Sequence, residues 1–376
     1  MSPTLRLLPV DPESRADVRR FAGFPFALYR GSAQWVPPVR ADARLALDRR
    51  RHPFYRHSEA AFFLVEEGKQ TLGRIGVADH RNYNAYHHTH TAFFWCFEAV
   101  EDPAVAHLLL DGAAEWAAGR GLDLLVGPKG PLLGDGIGAL IEGFEHRPAL
   151  GVVYNHPYYP GLLEGAGFEK DTDFLTGRLY RHHHLPEAFF AAADEAGAAR
   201  GYRAFAFSSR RQIREWLPRF AVVYNEAFRP TWEYTPLTDE EVRSAVERLL
   251  PVIEPDLIRL VLQGEDIVGF MIAYPDVSAA LQRTGGRVWP TGWARLLWER
   301  RHTRWANING MGLLPAHQGT GANAVLYAAL ARSVGGVRFE GADIVQVDER
   351  NAAMVANLTA IGVPWHQRHR VYRRPI

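Results

Sequence analysis

The chain is 376 residues long, with 47% hydrophobic and 23% charged residues and a formal net charge of +1. That length exceeds one ordinary core and accommodates two. The balanced charge argues against nucleic acid as a partner, no apolar run approaches the roughly 20 residues that span a bilayer, and a lone cysteine, Cys96, rules out an internal disulfide framework or a cysteine metal cluster. Residues 1–14 lack the apolar stretch and small-residue cleavage site of a secretory signal. A cytoplasmic protein, monomeric or homodimeric, with no membrane and no nucleic-acid partner is therefore expected.

In chain order, residues 4–10 read as a strand, and 14–29 and 39–50 as two helical stretches. Apolar runs at 60–65 and 74–78 flank Gly68 as a hairpin. A long apolar strand carrying Cys96 then meets Glu101, Asp102 and Pro103 at the start of a helix. The basic group Arg368, Arg370, Arg373 and Arg374 near the end of the chain reads as a strand edge or a phosphate-facing fringe.

The same order of elements recurs at 202–207, 210–226, 239–249, 257–262 and 267–273, with Gly264 in the hairpin turn. Thr238 followed by Glu241 makes a capping box for the 239–249 helix. Landmarks repeat with a nearly constant offset: Tyr29 and Tyr224 lie 195 residues apart, Gly73 and Gly269 196, Gly167 and Gly362 195. Two copies of one α/β fold are expected, each a mixed sheet flanked by helices. The boundaries are 1–180 for the first domain, 181–200 for a linker helix entered through Arg181 and His182–His184, and 201–376 for the second domain. Residues 276–301, rich in Gly and Pro, read as an insertion or lid-like connection.

The segment after the 305–314 strand is the most informative. Pro315 is followed by Gln318, Gly319, Thr320, Gly321, Ala322 and Asn323 and then an amphipathic helix. Glycines there turn backbone N–H groups outward, and the helix N-terminus favours a phosphate. This stretch resembles the [QR]-x-x-G-x-[GA] signature of the GNAT N-acyltransferase superfamily, with Asn323 standing where a small residue is usual. The second half matches well. The first half resembles a tandem two-domain GNAT subfamily at Gly143-Phe144, Tyr154-Asn155, Pro157-Tyr158-Tyr159 and Gly167-Phe168.

The resemblance implies that acetyl-CoA or another acyl-CoA binds the second copy through Gln318, Gly319, Thr320, Gly321, Ala322 and Asn323. The backbone of Met311, Leu313 and Leu314 would pair with its pantetheine arm, and Asn351 would lead the next helix. The implied reaction is transfer of an acyl group to an amine of a small molecule or peptide. A tyrosine four residues before the helix-ending glycine supplies the acid in many relatives, but Leu163 and Leu358 occupy those positions here. Tyr327 and Tyr372 are the substitutes, while Asp343, Asp348, Glu226 and Glu233 are candidate bases, Asp343 foremost. Glu226, Trp232 and Tyr234 border the acceptor cleft. In the first copy Glu101, Asp102 and Pro103 remove the donors a phosphate needs, so its cofactor site is degenerate.

Of His87, His88 and His90, the last two would share a face on a strand, but spacing indicates no third ligand for that pair and no metal site is expected. Cys96, among aromatics, reads as a small buried hydrophobe. Two other functions remain open from the residues: a catalytically silent acyl-CoA-binding sensor or scaffold, and an aminoacyl-tRNA-dependent transferase of similar architecture.

Overall fold

A computed structural model describes residues 4–181, 187–232, 234–334 and 338–376. His182–His184 of the expected linker, and the candidate base Glu233, lie outside the described residues. The first half runs β1 (Leu5–Pro9), α1 (Arg15–Leu28), a single turn α2 (Asp42–Leu45), β2 (Glu59–Glu67), β3 (Gln70–Asp79), α3 (Arg81–His87), β4 (Thr91–Ala99), α4 (Pro103–Ala118), β5 (Leu124–Gly127), β6 (Ala139–Glu142), α5 (Tyr159–Gly165) and β7 (Glu169–Tyr180). It continues with α6 (Glu187–Arg200), β8 (Tyr202–Ala206), α7 (Arg210–Phe228), α8 (Asp239–Leu249), β9 (Ile258–Gln263), β10 (Asp266–Pro275), α9 (Ser278–Thr284) and α10 (Gly292–His302). The last elements are β11 (Trp305–Leu313), α11 (Ala322–Val334), β12 (Gly341–Asp348), α12 (Ala352–Ala360) and β13 (Trp365–Pro375).

These elements form two compact units, and neither is contiguous in sequence. The first comprises residues up to Phe174 together with Ser278–Gly292 and Gln367–Ile376; the second comprises Leu175–Val277 and Trp293–His366. Its sheet order in the first unit is β1-β2-β3-β4-β5-β13, with β6 on β13. In the second unit the end of β7 is followed by β12-β11-β10-β9-β8. A cut between residues 180 and 201 therefore misplaces three segments, 175–180, 278–292 and 367–376; the last strand of the chain completes the first unit's sheet against β5, with Tyr372 opposite Gly127.

The repeat is visible within each unit. Gly73 on β3 lies opposite Ala99 on β4, and Gly269 on β10 lies opposite Leu313 on β11. Just beyond these pairs both registers slip by one residue at a bulge. The position three residues before each partner has positive φ, Cys96 at 51° and Gly310 at 112°. Gly167 and Gly362 each follow a short helix at φ 83°, the left-handed cap that ends a helix without a Cβ penalty.

Local chemistry explains the starts. The Ser14 hydroxyl accepts from Asp17 N–H at 3.3 Å, Ser209 accepts from Gln212 N–H at 3.2 Å, and Thr238 with Glu241 completes the reciprocal capping box at 2.8 and 3.3 Å. In the second unit, α11 covers one face of the sheet with Ala322, Val325 and Leu326 against Ala306, Leu313 and Ala342. On the other face α7 packs Val223 and Ala227 around fully buried Phe270. Burying one such ring contributes about 1.5–3 kcal/mol.

Four expectations need correction. The 39–50 helix shrinks to α2, because the Asp48 carboxylate accepts from the N–H groups of Arg50 and Arg51 at 3.0 and 3.1 Å and offers the backbone a turn instead. The histidine stretch is helical through His87, and left-handed His88 ends it, so His88 and His90 do not share a strand face. The lid-like connection contains α9 and α10, and its first part is tied down: Gln282 donates to the carbonyls of Ala33 and Trp35 at 2.8 and 3.1 Å, and Arg40 N–H donates to Gly286 at 3.0 Å. The basic cluster on β13 faces acids rather than a phosphate, with Arg370 on Asp173 at 2.8 Å, Arg373 on Glu169 at 3.1 Å and Arg374 on Asp111 at 3.1 Å.

A Cβ on Gly73 would stand 2.7 Å from Leu109 Cδ1 and 3.1 Å from the Glu98 carbonyl; on Gly269 it would stand 2.3 Å from Leu313 Cδ2 and 3.0 Å from the Gly312 carbonyl. Gly73→Ala and Gly269→Ala should each destabilise the protein by about 1–3 kcal/mol in urea denaturation. Unchanged midpoints would show that the strand pairs are not packed this closely.

Candidate functional site

The loop between β11 and α11 is shaped by two residues at positive φ, Gly319 at 72° and Gly321 at 93°. Tyr202 braces it from β8, its hydroxyl 2.9 Å from His317 Nδ1 and 2.8 Å from Thr320 Oγ1, while Thr320 donates to the His317 carbonyl at 2.7 Å. Gln318 N–H is used by Pro315 at 3.3 Å, and its side chain donates to the Leu313 carbonyl at 3.4 Å. Among the described residues, the N–H groups of Gly319, Thr320, Gly321, Ala322 and Asn323 have no protein acceptor. A Cβ on Gly321 would meet Ala196 of α6 at 2.6 Å, whereas Gly319 opens onto free space. The result is a set of oriented donors at the N-terminus of a 13-residue helix, a site suited to a phosphate group.

Beside this loop the sheet opens. β11 and β12 pair in parallel only from Trp305 and Gly341 to Ile308 and Ile344, although the strands continue to Leu313 and Asp348. On β12, Gln346 adopts φ 50° and gives its N–H to Thr176 Oγ1 of β7 at 3.3 Å. The bulge of β11, Asn309 and Gly310, lies just beyond the last paired rung. Met311 and Leu313 send their side chains into the α11-side core, and Leu314 N–H donates to Val268 at 2.9 Å. Their backbone borders the wedge.

At its closed end a polar row crosses three strands. Register places Tyr274 of β10 beside Asn307 of β11, and Asn307 beside Asp343 of β12. Asn307 alternates with Ala306 and Ile308 of the α11-side core, so the row projects from the opposite face. Asn307 is wholly buried, and neither its side-chain oxygen nor its nitrogen has a hydrogen-bond partner, an arrangement that asks for a ligand or water. The buried carboxylate of Asp343 lies 3.3 Å from Arg178 Nε and 3.7 Å from His366 Nε2. Burial pushes its pKa up to about 6 against the opposing pull of Arg178. Burial likewise raises Tyr274 to about 12, and its hydroxyl accepts from Asn309 Nδ2 at 3.1 Å.

The remaining candidates fall in several places. Tyr327 on α11 donates to Met354 Sδ at 3.1 Å and is raised by burial to about 12. Asn351 caps α12, its side chain accepting from Met354 N–H at 3.2 Å. Trp232 lies under Arg350, 5.3 Å from guanidinium carbon to ring centroid, which brings the α7–α8 connection to the end of β12. Glu226 is half-buried and paired with Arg229 at 2.7 Å. Tyr234 is buried, its hydroxyl donating to Asn225 at 3.0 Å, and holds the connection rather than facing solvent. Asp348 accepts from Arg350 N–H at 2.9 Å in a turn. Tyr372 belongs to the first unit, where it is fully buried and donates to Glu164 at 3.2 Å; the second unit's wedge is built without it. Leu358 and Leu163 are both core residues. Residue-level reading missed His366, Arg178, Asn307 and Tyr274. The available signal was Asn307 and Asn309 interrupting an otherwise apolar strand.

The first unit has the same opening and closes it. β4 and β5 pair only from Thr91 and Leu124 to Phe93 and Val126. At the far end of β4, Ala99 N–H donates to the Tyr159 hydroxyl at 3.0 Å and the Ala99 carbonyl accepts from Tyr158 at 2.8 Å. The helix start is also spent: Asp102 caps it from Ala104 N–H at 2.8 Å, and Pro103 brings no donor. Cys96, at its strained bulge, is raised by burial to about 12 and stays a thiol. Among the described residues no group of three or more His, Cys, Asp or Glu side chains is placed to hold a metal.

No known family profile matches the chain. It is 26% identical over 383 residues to "Bacterial ceramide synthase" of Caulobacter vibrioides, covering 99% of this chain and 98% of that protein. It is 23% identical over 370 residues to "Protein YghO" of Escherichia coli, covering 96% and 94%. Among solved structures it is similar to a tandem GNAT protein from the clavulanic acid biosynthesis pathway, with 11% identity, a TM-score of 0.58, and coverage of 99% of this chain and 98% of that one. The chain thus has the tandem GNAT fold.

The raised pKa of Asp343 has a stability consequence. The fold favours its protonated form, so that contribution is complete below about pH 4 and is lost as pH rises through about 6. Relative to wild type, Asp343→Asn should gain roughly 3 kcal/mol between pH 4 and pH 7.5 in urea denaturation. A constant difference across that range would mean Asp343 is not buried as a charge.

Proposed function

We propose that this chain is an N-acyltransferase that moves an acyl group from acyl-CoA to an amine, working from the second unit. The observation that carries this reading is the wedge between β11 and β12 opening beside a helix N-terminus whose N–H groups have no acceptor among the described residues. Gly319 to Asn323 would hold the phosphates, and the unpaired edge of β11 beyond Ile308 would hold the pantetheine arm. The thioester supplies an activated acyl carbon; the amine nitrogen forms the C–N bond as the C–S bond breaks. Asp343, with a pKa near 6, accepts the proton released from the attacking nitrogen at neutral pH. Arg178 and His366 keep that carboxylate in place, and Asn307 offers its amide to the acceptor. Tyr274 is protonated at neutral pH and is the residue we assign to proton donation toward the leaving sulfur, in place of the position held by Leu358.

The relative called a ceramide synthase, similar over nearly the whole of both chains, supports a long-chain amino alcohol as acceptor and a fatty acyl group as donor. Leu358 favours one competing reading, a silent acyl-CoA binder. Amide release in a single-turnover assay separates the two, and bound acyl-CoA that is never consumed would establish the silent one.

Asn323→Asp tests the cofactor site with little change of shape. The new charge in the first turn of α11 should hold or raise stability, yet weaken acyl-CoA binding by about tenfold or more in calorimetry. Equal affinity would sink the phosphate assignment. For wild type, kcat/KM should rise with pH through an apparent pKa near 6 as Asp343 ionises. Asp343→Asn should remove that limb and cost about 10²–10⁴ in rate, and a surviving limb would assign the base elsewhere.

A further inference from the structure

Helix α10 inverts the usual distribution of side chains. At about 100° per residue, Trp293, Leu297, Trp298 and Arg301 share one broad arc. Trp293, Leu297 and Trp298 are 49%, 37% and 53% exposed. The opposite arc carries Leu296, Glu299 and Arg300, which are only part-exposed. Arg300 donates to the Pro251 carbonyl at 3.1 Å, and its own carbonyl accepts from Arg338, which also pairs with Glu254. Polar groups therefore fasten the helix to the second unit while its tryptophans point to solvent. Just ahead in the chain, Trp289 is 82% exposed. Two large aromatics and a leucine turned outward on one helix call for a covering partner.

We propose that α10 docks the protein on an anionic phospholipid bilayer, lying in the interface with Trp293, Leu297 and Trp298 at headgroup depth. Charge selects this occupant. Arg295 and Arg301 flank the aromatics, both exposed, and neither pairs with an acid among the described residues. Glu299, the only acid of the helix, is on the inner arc. Tryptophan interleaved with arginine fits a wet boundary: the rings are apolar with one polar edge, and guanidinium stems lie along lipid while their heads stay hydrated. A second copy of this chain would bring the same cations to the same face, and the like charges would repel. The choice of a bilayer is consistent with the long-chain acceptor proposed above, but the binding does not rest on it. No helix of the described residues is long and apolar enough to cross a membrane, and an interfacial helix needs no such length.

Flotation of the full chain with vesicles of phosphatidylcholine alone, or mixed with phosphatidylglycerol, tests this directly. The protein should float with the mixed vesicles, with a blue shift of tryptophan emission, and dissociate as salt is raised. Trp293→Ser with Trp298→Ser should weaken binding by about tenfold or more, and Arg295→Gln and Arg301→Gln by about fivefold each. Acyl-CoA affinity and urea midpoints of these variants should match wild type, so failure of vesicle binding and failure of the acyltransferase reading remain distinguishable. Wild type that stays with the soluble fraction, variants that float equally well, or a concentration-dependent dimer abolished by the tryptophan changes would each overturn the proposal.

Discussion

Two neighbouring parallel strands that stop pairing leave backbone N–H and C=O groups facing a gap, and a buried gap of that kind must be filled. In the second unit β11 and β12 part after Ile308 and Ile344. In the first, β4 and β5 part after Phe93 and Val126. The fold repeats the problem, and the two copies answer it differently. Tyr158 and Tyr159 satisfy both backbone groups of Ala99 from within the first unit. No corresponding hydroxyls reach Leu313 among the described residues; its carbonyl meets only the Gln318 side chain at 3.4 Å. The difference between the two openings thus comes down to whether the protein itself supplies the partners.

The loop beside each opening follows the same logic. A glycine-containing turn ahead of α11 leaves five consecutive donors without a protein acceptor among the described residues, whereas Asp102 and Pro103 consume or delete them ahead of α4. Asp343 is held by the same constraint from below. It sits on the second-last paired rung, where close strand contact keeps water away, and this is why its carboxyl titrates near 6 while solvated carboxylates do not. One rung further the strands separate, and each residue along β11 adds about 3.3 Å. The buried carboxylate and the opening are adjacent because both depend on where pairing ends.

Strand exchange between the copies explains why a repeat in sequence is not a division in space. β13 completes the first unit and the end of β7 belongs to the second. Its arginines, read as a possible phosphate fringe, are consumed by Asp173, Glu169 and Asp111 of the first unit. Tyr372, eligible by residue type as an acid, is carried into the first unit's core by the same exchange.

Much was legible from the residues. The period of near 195, the capping box of Thr238 and Glu241, the helix-ending glycines and the glycine loop are local signals, each complete within a few residues and set by backbone geometry. The same holds for Asp102-Pro103, whose effect on a helix start needs no distant partner. What tertiary structure alone decided are the meetings of distant residues: Tyr274, Asn307 and Asp343 in one row, Arg178 and His366 on that carboxylate, the two tyrosines on Ala99, and the outward turn of the α10 tryptophans. Alternation along a strand tells which face a side chain takes, but which strand lies beside it, and in what register, is set by packing summed over the whole core.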